Sequence, residues 1–588
     1  MKRRTPPANT RTRLYVVAMV LALASSALIV RAVDLQVVRK DFYQEQGDAR
    51  FLRDLPVPVS RGTIFDRNGE PLAVSTPVDS IWADPEVVLD HSDRLGDLAR
   101  ALGVDADSLQ RRLIQRNDKE FVYLKRQLNP DDARAVLALG IPGVSSQREF
   151  RRYYPSGEVM AHVLGYTNID DHGQEGLELA FDNWLAGKPG VKRVIRDRLG
   201  HIVENVELVR EPQPGRDLVL SIDRRIQYLA YRELKSAILD HHASSGSMVV
   251  LDVATGEVLA MVNQPSYNPN ARDKGDARTR RNRAVTDVVE PGSTMKAFTV
   301  AAALESGKWT PTTKVDTTPG TFMLDGHLIT DVHNKGLLDV TGVITHSSNV
   351  GAAKISLTLT ADRMYDLLHR FGFGEASGCG FPGESPGFLP AGRTWSTLTK
   401  ATIAYGYGLN VTPLQLAQGY AALADDGKLR APTFVKGAEN PERQVLDPAI
   451  AAAVRKMLET VVTPEGSGYK AAIPNYLVAG KTGTSRTAVA GGSENRYFSL
   501  FVGMVPATHP RLVGVVVIHD PQGVYYGGLV SAPVFSKVMD GALRLLDVPP
   551  DNVQHWYASS SIGSKGAAAS PAAPPADPDL SRYEEGTR

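Results

Sequence analysis

Apolar and small residues run unbroken from Leu14 to Val30, with charged chain on either side. About 17 such residues are just enough to cross the hydrocarbon core of a bilayer, and more than the core of a usual signal peptide. Lys2, Arg3, Arg4, Arg11 and Arg13 precede the run with no acid among them, and Arg31 and Asp34 close it. The basic flank stays on the cytoplasmic side, so everything after residue 31 is expected outside the cytoplasm. A cleaved signal is the competing reading, with Ala22-Leu23-Ala24 as its processing site. The apolar run continues past that point through Ser26 to Val30, which favours a retained anchor. The expectation is a basic cytoplasmic tail over residues 1–13 and a transmembrane helix over 14–30.

From residue 31 to about 215 the pattern breaks into short strands and helices in a polar, arginine-rich stretch, read as one mixed α/β domain. Within it, Arg61 to Ala73 reads as strand, Asn68-Gly69 hairpin turn and strand. A second domain, 216–550, opens with the strand Leu218 to Asp223 and a helix from Arg224 to His241. Gly246 to Asp252 and Glu257 to Val262 then read as two antiparallel strands across an Ala254-Thr255-Gly256 turn. Ser499 to Val505 and Leu512 to Ile518 are two more buried strands, and Tyr476-Leu477-Val478 is a short apolar strand leading into Lys481. Together they predict an α/β fold of the α+β type, an antiparallel sheet covered by helices, ending in a helix from Pro533 to Leu546. Residues 559–588 are dominated by Ala, Ser, Pro and Gly, cannot build a core, and are expected to be disordered.

Length narrows this little: 588 residues allow two to four domains. A net charge of +1 gives no general argument for nucleic acid, and the arginine runs are local. The single cysteine, Cys379, rules out an internal disulfide and reads as a small filler in a Gly-rich loop. His241 and His242 are adjacent, so they face different ways on a helix and cannot share a metal; no metal or cofactor is expected.

Candidate chemistry begins where Pro291-Gly292 delivers the chain into the apolar helix Ala297-Phe298-Thr299-Val300-Ala301-Ala302-Ala303. Ser293 falls in its first turn, where unpaired N–H groups favour an anionic oxygen. Lys296, three residues on, shares that face. Burial in such a helix lowers a lysine's pKa toward that of a usable base, which a serine nucleophile requires. Chance alone yields a Ser-x-x-Lys about twice in a chain this long. The second here, Ser467 to Lys470, lies among Pro464, Gly466 and Gly468 and reads as a loop. Two further segments raise the weight of the first: Ser347-Ser348-Asn349 opens another helical run, and Lys481-Thr482-Gly483-Thr484 follows the apolar strand. Gly480-Lys481-Thr482 is like the end of a nucleotide-binding P-loop, but that motif needs glycine where this chain has Asn475.

Ser-x-x-Lys, Ser-x-Asn and Lys-Thr-Gly in this order are the motif set of penicillin-binding proteins and serine β-lactamases. The chain resembles the class B penicillin-binding proteins, of the septal penicillin-binding protein 3 type, over nearly everything except the tail. Arg61-Gly62 through Asn68-Gly69, Tyr153-Tyr154-Pro155 and Gly173-Gln174-Glu175-Gly176 look like that class's non-catalytic pedestal motifs. The resemblance implies D,D-transpeptidation of peptidoglycan stem peptides, with β-lactams as covalent inhibitors. Lys296 would accept the Ser293 proton, Ser347 would relay a proton, and Asn349 would bond the substrate amide. Lys481 would supply positive charge as a fourth catalytic residue, and the Thr482 and Thr484 hydroxyls would hold the terminal carboxylate, with Gly483 between them. The N–H groups of Ser293 and Thr484 would form an oxyanion hole. Tyr407 and Tyr525 would wall the pocket. The family anchors such a chain once in the inner membrane, its pedestal (31–215) and transpeptidase domain (216–550) in the periplasm beside a lipid-II polymerase, FtsW. A β-lactamase would be far shorter, with neither anchor nor pedestal. The remaining alternatives are a lateral-wall transpeptidase and a catalytically idle division scaffold, the latter opposed by the intact motif residues.

Overall fold

The computed structural model describes residues 10–40, 52–196, 202–271, 276–489 and 492–552. Lys2, Arg3, Arg4 and the 559–588 tail lie outside the described residues. Helix α1, Thr10–Val33, has 24 residues. At 1.5 Å per residue it is about 36 Å long, more than the ~30 Å hydrocarbon core of a bilayer. Its side chains are exposed, and Arg11–Val38 is the one stretch among the described residues long and apolar enough to cross a membrane. Arg31 and Arg39 both pair with Asp34 just past its end.

The chain folds as two compact units that interleave in sequence, one drawn from Met1–Ser60, Pro77–Arg151 and Gly187–Gly215, the other from Arg61–Thr76, Arg152–Ala186 and Arg216–Arg588. In the first, Leu52–Val57, Gly190–Arg196 and Ile202–Arg210 form a three-stranded antiparallel sheet. A separate small core gathers Leu98, Leu102, Leu109, Leu113 and Val136 from amphipathic helices around Ile81 and Leu124.

In the second unit, Ile64 pairs antiparallel with Ala73 and Phe65 with Pro71 across the Asn68-Gly69 turn, as the sequence predicts. The Asp66 carboxylate fixes that turn by accepting the N–H groups of Asn68 and Glu70. Arg61 is held at full burial by Glu178 and Asp182, and the same Glu178 takes Arg152 on its other oxygen.

The principal sheet is built from β1 (Ser245–Asp252), β2 (Val258–Gln264), β3 (Ala479–Val489), β4 (Gly492–Val505) and β5 (Leu512–His519), in the order β2-β1-β5-β4-β3 and antiparallel throughout. Alternate residues feed opposite cores. Met248, Val250, Phe501, Val516 and Ile518 pack with Ile226 and Leu234 of the helix Arg224–Asp240 and with Phe535 and Met539 of the helix Gly527–Leu545. Val249, Leu251, Leu500, Val502, Val515 and Val517 share the other core with Phe298, Leu416 and Tyr420. Burial of both faces is why these strands read as continuous apolar runs rather than alternating ones.

Two boundaries differ from expectation. Tyr476 makes only an isolated bridge with Ile473, and the strand starts at Ala479, because Asn475 turns the chain at φ +68°. Lys481-Thr482-Gly483 therefore lies within the strand. The last helix starts at Gly527, six residues before Pro533, which sits inside it.

Candidate active site

Ser293 stands in a 3-10 turn, Gly292–Met295, that leads directly into helix α2, Lys296–Glu305. The turn is pressed against edge strand β3. Gly292, at φ +54°, lies so near Thr484 that a Cβ there would stand 3.1 Å from its carbonyl oxygen. Gly483 has the matching role on the strand, since a Cβ would come within 2.8 Å of the Pro291 carbonyl oxygen. Ser485 closes the seam by donating its hydroxyl to the Glu290 carbonyl at 2.7 Å. Both glycines are needed for close backbone approach.

Lys296 is 0% exposed, and its Nζ is 2.8 Å from Ser293 Oγ. The same ammonium position contacts the Ser347 carbonyl, Ser347 Oγ at 3.2 Å and Asn349 Oδ1 at 2.7 Å. Lys481, also 0% exposed, reaches Ser347 Oγ at 2.9 Å from the strand side. One hydroxyl thus bridges two buried amines. Burial brings Lys296 down to about 7, against a smaller upward pull from Asp331. Lys481 is lowered well below its usual range, first by burial and then by the charge of Lys296. Two buried amines with one shared contact favour a single proton between them.

Ser347 takes a left-handed conformation, φ +59°, costly for a residue with a side chain. It sits between the helix Val340–Thr345 and helix α3, Asn349–Leu357. What holds it is Asp331, whose carboxylate accepts the N–H groups of Asn349 and Val350 and the Ser348 hydroxyl. Nothing local in the sequence marked Asp331. Asn349 is occupied at both ends, Oδ1 by Lys296 and Nδ2 by the Thr330 carbonyl at 2.9 Å. One Nδ2 proton and one Oδ1 lone pair remain for a substrate amide.

Thr482 Oγ1 contacts Lys481 Nζ at 3.3 Å and Ser467 Oγ at 2.9 Å, while Thr484 Oγ1 accepts the Gly527 N–H at 3.2 Å. The Tyr407 ring packs edge-on against Tyr405. Burial, and then the charge of Glu290, push its phenol up. Tyr525 stacks on Tyr497, centroids 4.0 Å apart, with Arg486 over the other ring. Tyr497 belongs to no motif and reaches the site through its pairing with Arg486 on β3. Cys379 lies in a half-buried loop, its thiol pushed up to about 12 by burial, away from a reactive thiolate. The arrangement can ionise a serine beside a neutral amine, move a proton across Ser347, and offer hydroxyls and positive charge on one strand.

Residues 246–540 match the penicillin-binding protein transpeptidase domain, and 56–220 the penicillin-binding protein dimerisation domain. The chain belongs to the penicillin-binding protein family and carries its transpeptidase domain. It is 46% identical over 545 residues to the probable peptidoglycan D,D-transpeptidase PbpC of Pseudomonas aeruginosa, covering 92% of this chain and 96% of that one. Peptidoglycan D,D-transpeptidase FtsI of Escherichia coli K12 is 44% identical over 539 residues, 90% of this chain and 91% of that protein. Among solved structures, penicillin-binding protein 3 of Mycobacterium tuberculosis, complexed with aztreonam, aligns with a TM-score of 0.65 and 28% identity over 84% of this chain and 98% of that one.

Proposed function

We propose that the chain is a peptidoglycan D,D-transpeptidase of septal wall synthesis, working through an acyl-enzyme on Ser293. The observation that carries this reading is the fully buried Lys296 Nζ, 2.8 Å from Ser293 Oγ and lowered to about 7, since a serine needs a neutral base to attack. In the first half-reaction the Ser293 proton passes to Lys296 as Oγ bonds to the carbonyl carbon between the two terminal D-alanines of a stem peptide. The N–H groups of Ser293 and Thr484 receive the oxyanion. Collapse breaks the C–N bond, the leaving nitrogen takes a proton through Ser347 Oγ, and D-alanine departs. An amine of a neighbouring strand then bonds to the ester carbon and yields its proton through the same groups, and Ser293 Oγ leaves with a proton. Lys481, Thr482 and Thr484 hold the donor's carboxylate, with Gly483 keeping the strand close. Asn349 positions Lys296 and takes the substrate amide on its remaining Nδ2 proton or Oδ1 lone pair. Tyr407 and Tyr525 wall the pocket. A β-lactam undergoes the first half-reaction and stays on Ser293.

In this reading α1 spans the inner membrane once, leaving residues 1–13 in the cytoplasm and the 31–215 pedestal and 216–550 transpeptidase domain in the periplasm, beside FtsW. The septal assignment rests on the overall resemblance to the septal penicillin-binding protein 3 type, the pedestal motifs being those of class B as a whole, and a fluorescent fusion spread along the side wall during division would favour the lateral-wall alternative. A reporter active only in the periplasm, fused after Val38, is expected to be active; a mature N-terminus near Ser25 would show a cleaved signal instead. Labelled penicillin tests the chemistry: wild type is acylated, and Ser293→Ala gives no covalent label while keeping its melting temperature. Undiminished labelling of Ser293→Ala would move the nucleophile elsewhere, and an unlabelled wild type would favour the scaffold.

A further inference from the structure

The second Ser-x-x-Lys, expected to be a loop, is a turn at Ser467 that runs into the 3-10 turn Tyr469–Ala471, and its serine lies at the edge of the site. Gly466 makes the turn possible, since a Cβ there would stand 2.1 Å from the Val461 carbonyl oxygen. The Ser467 N–H donates to the Thr345 carbonyl at 3.3 Å, two residues before Ser347. On the other side Gly528, at the start of the last helix, lies so close that a Cβ would be 2.1 Å from the Ser467 carbonyl oxygen. The serine backbone is therefore clamped between the segment that carries Ser347 and the helix that follows the tyrosines. Lys470 plays no part in this and lies over the Tyr469 ring.

The clamp places Ser467 Oγ 2.9 Å from Thr482 Oγ1, the contact that either hydroxyl could donate. Counting protons decides the direction. Thr482 Oγ1 has two lone pairs and one proton. One lone pair faces Lys481 Nζ, which donates to it when Lys481 carries the proton that the two amines share. Thr482 Oγ1 is the one side-chain partner of the Ser467 hydroxyl among the described residues, and a serine proton given to it fills the second lone pair. With both lone pairs filled, the single Thr482 proton points away from Lys481 and Ser467, where it can be donated to an incoming anion. Thr482 is 7% exposed, so this orientation is fixed largely by protein rather than by water.

We infer that Ser467 is a positioning residue that turns the Thr482 hydroxyl into a dedicated donor for the terminal carboxylate of the acyl donor. This rests on the transpeptidase reading and deepens it, because it makes carboxylate selection depend on a residue outside the three motifs. The test uses the full-length protein and two acyl-D-alanyl thioesters, one whose leaving thiol ends in a carboxylate and its methyl ester, with thiol release followed in each case. Ser467→Ala is expected to lower kcat/KM for the carboxylate donor about tenfold, the effect of misdirecting one charge-assisted hydrogen bond, and to leave the ester unchanged. Ser467→Thr keeps the hydroxyl and is expected to keep the preference. Thr482→Val is expected to lose the preference alone, and Ser467→Ala added to it to cost nothing more. Equal slowing of both donors in Ser467→Ala would make the serine merely structural and overturn the inference, as would no change in either. A wild type that releases thiol from neither donor would instead sink the transpeptidase reading, and the inference with it.

Discussion

Two buried clusters of charge in the same compact unit follow opposite designs. Around Glu178, two guanidiniums meet carboxylates at 2.6 Å, Arg61 and Arg152 each taking one Glu178 oxygen and Arg61 also taking Asp182. Burial works against the Arg61 charge, but Glu178 and Asp182 more than offset it and the pKa is raised. Around Ser347, two lysines are equally buried but meet hydroxyls, carbonyls and an amide, with no carboxylate in direct contact among the described residues. Their pKa values fall instead. A compensated cluster holds charge in place and supports the fold; an uncompensated one lets a proton go near neutral pH, which is what a general base needs.

That contrast can be broken at either end. Lys296→Arg keeps the charge but cannot release a proton, so penicillin acylation is expected to fall by about 10³-fold, close to the loss in Lys296→Ala. An arginine variant that kept a substantial share of the rate would mean that charge rather than basicity matters. At the other cluster, Glu178→Gln leaves one acceptor for two guanidiniums and turns an N–H donor toward one of them. Denaturation is expected to show a loss of about 3 kcal/mol, with the acylation rate of the folded fraction unchanged. Loss of acylation without loss of stability would contradict the division of labour. Asp331→Asn removes the carboxylate that pulls Lys296 upward and the acceptor of the Ser348 hydroxyl, so the pH midpoint of acylation is expected to move lower in a pH profile, with a fall in the plateau rate as Ser347 is less firmly held.

Much of this was legible because local pattern and tertiary role agreed. The Ala297 to Ala303 run announced a buried helix and hence a desolvated Lys296, and the apolar runs of β1, β4 and β5 announced a sheet covered on both faces. What stayed hidden depends on contacts distant in sequence. Asp331 works on Asn349 across the strand Leu337–Asp339 and the helix Val340–Thr345, Tyr497 reaches the Tyr525 loop from β4, and Ser467 meets Thr482 only because Gly466 and Gly528 let backbones close on it. The late start assigned to the last helix has a local cause. Pro533 reads as a first-turn residue, and Gly527-Gly528 reads as a break, whereas those glycines begin the helix where a side chain would strike Leu500 and Ser467.

The most direct test of the central claim is the rate of penicillin acylation of the wild-type protein across pH 5 to 10. Below the folded pKa, Lys296 is protonated and cannot take the Ser293 proton; above it the neutral amine is in place. The rate is expected to rise through a midpoint near 7 and then level, while Lys296→Arg stays low throughout. A midpoint near that of a free lysine, about 10.4, or a wild-type rate flat across the range, would contradict a buried, uncompensated lysine as the base.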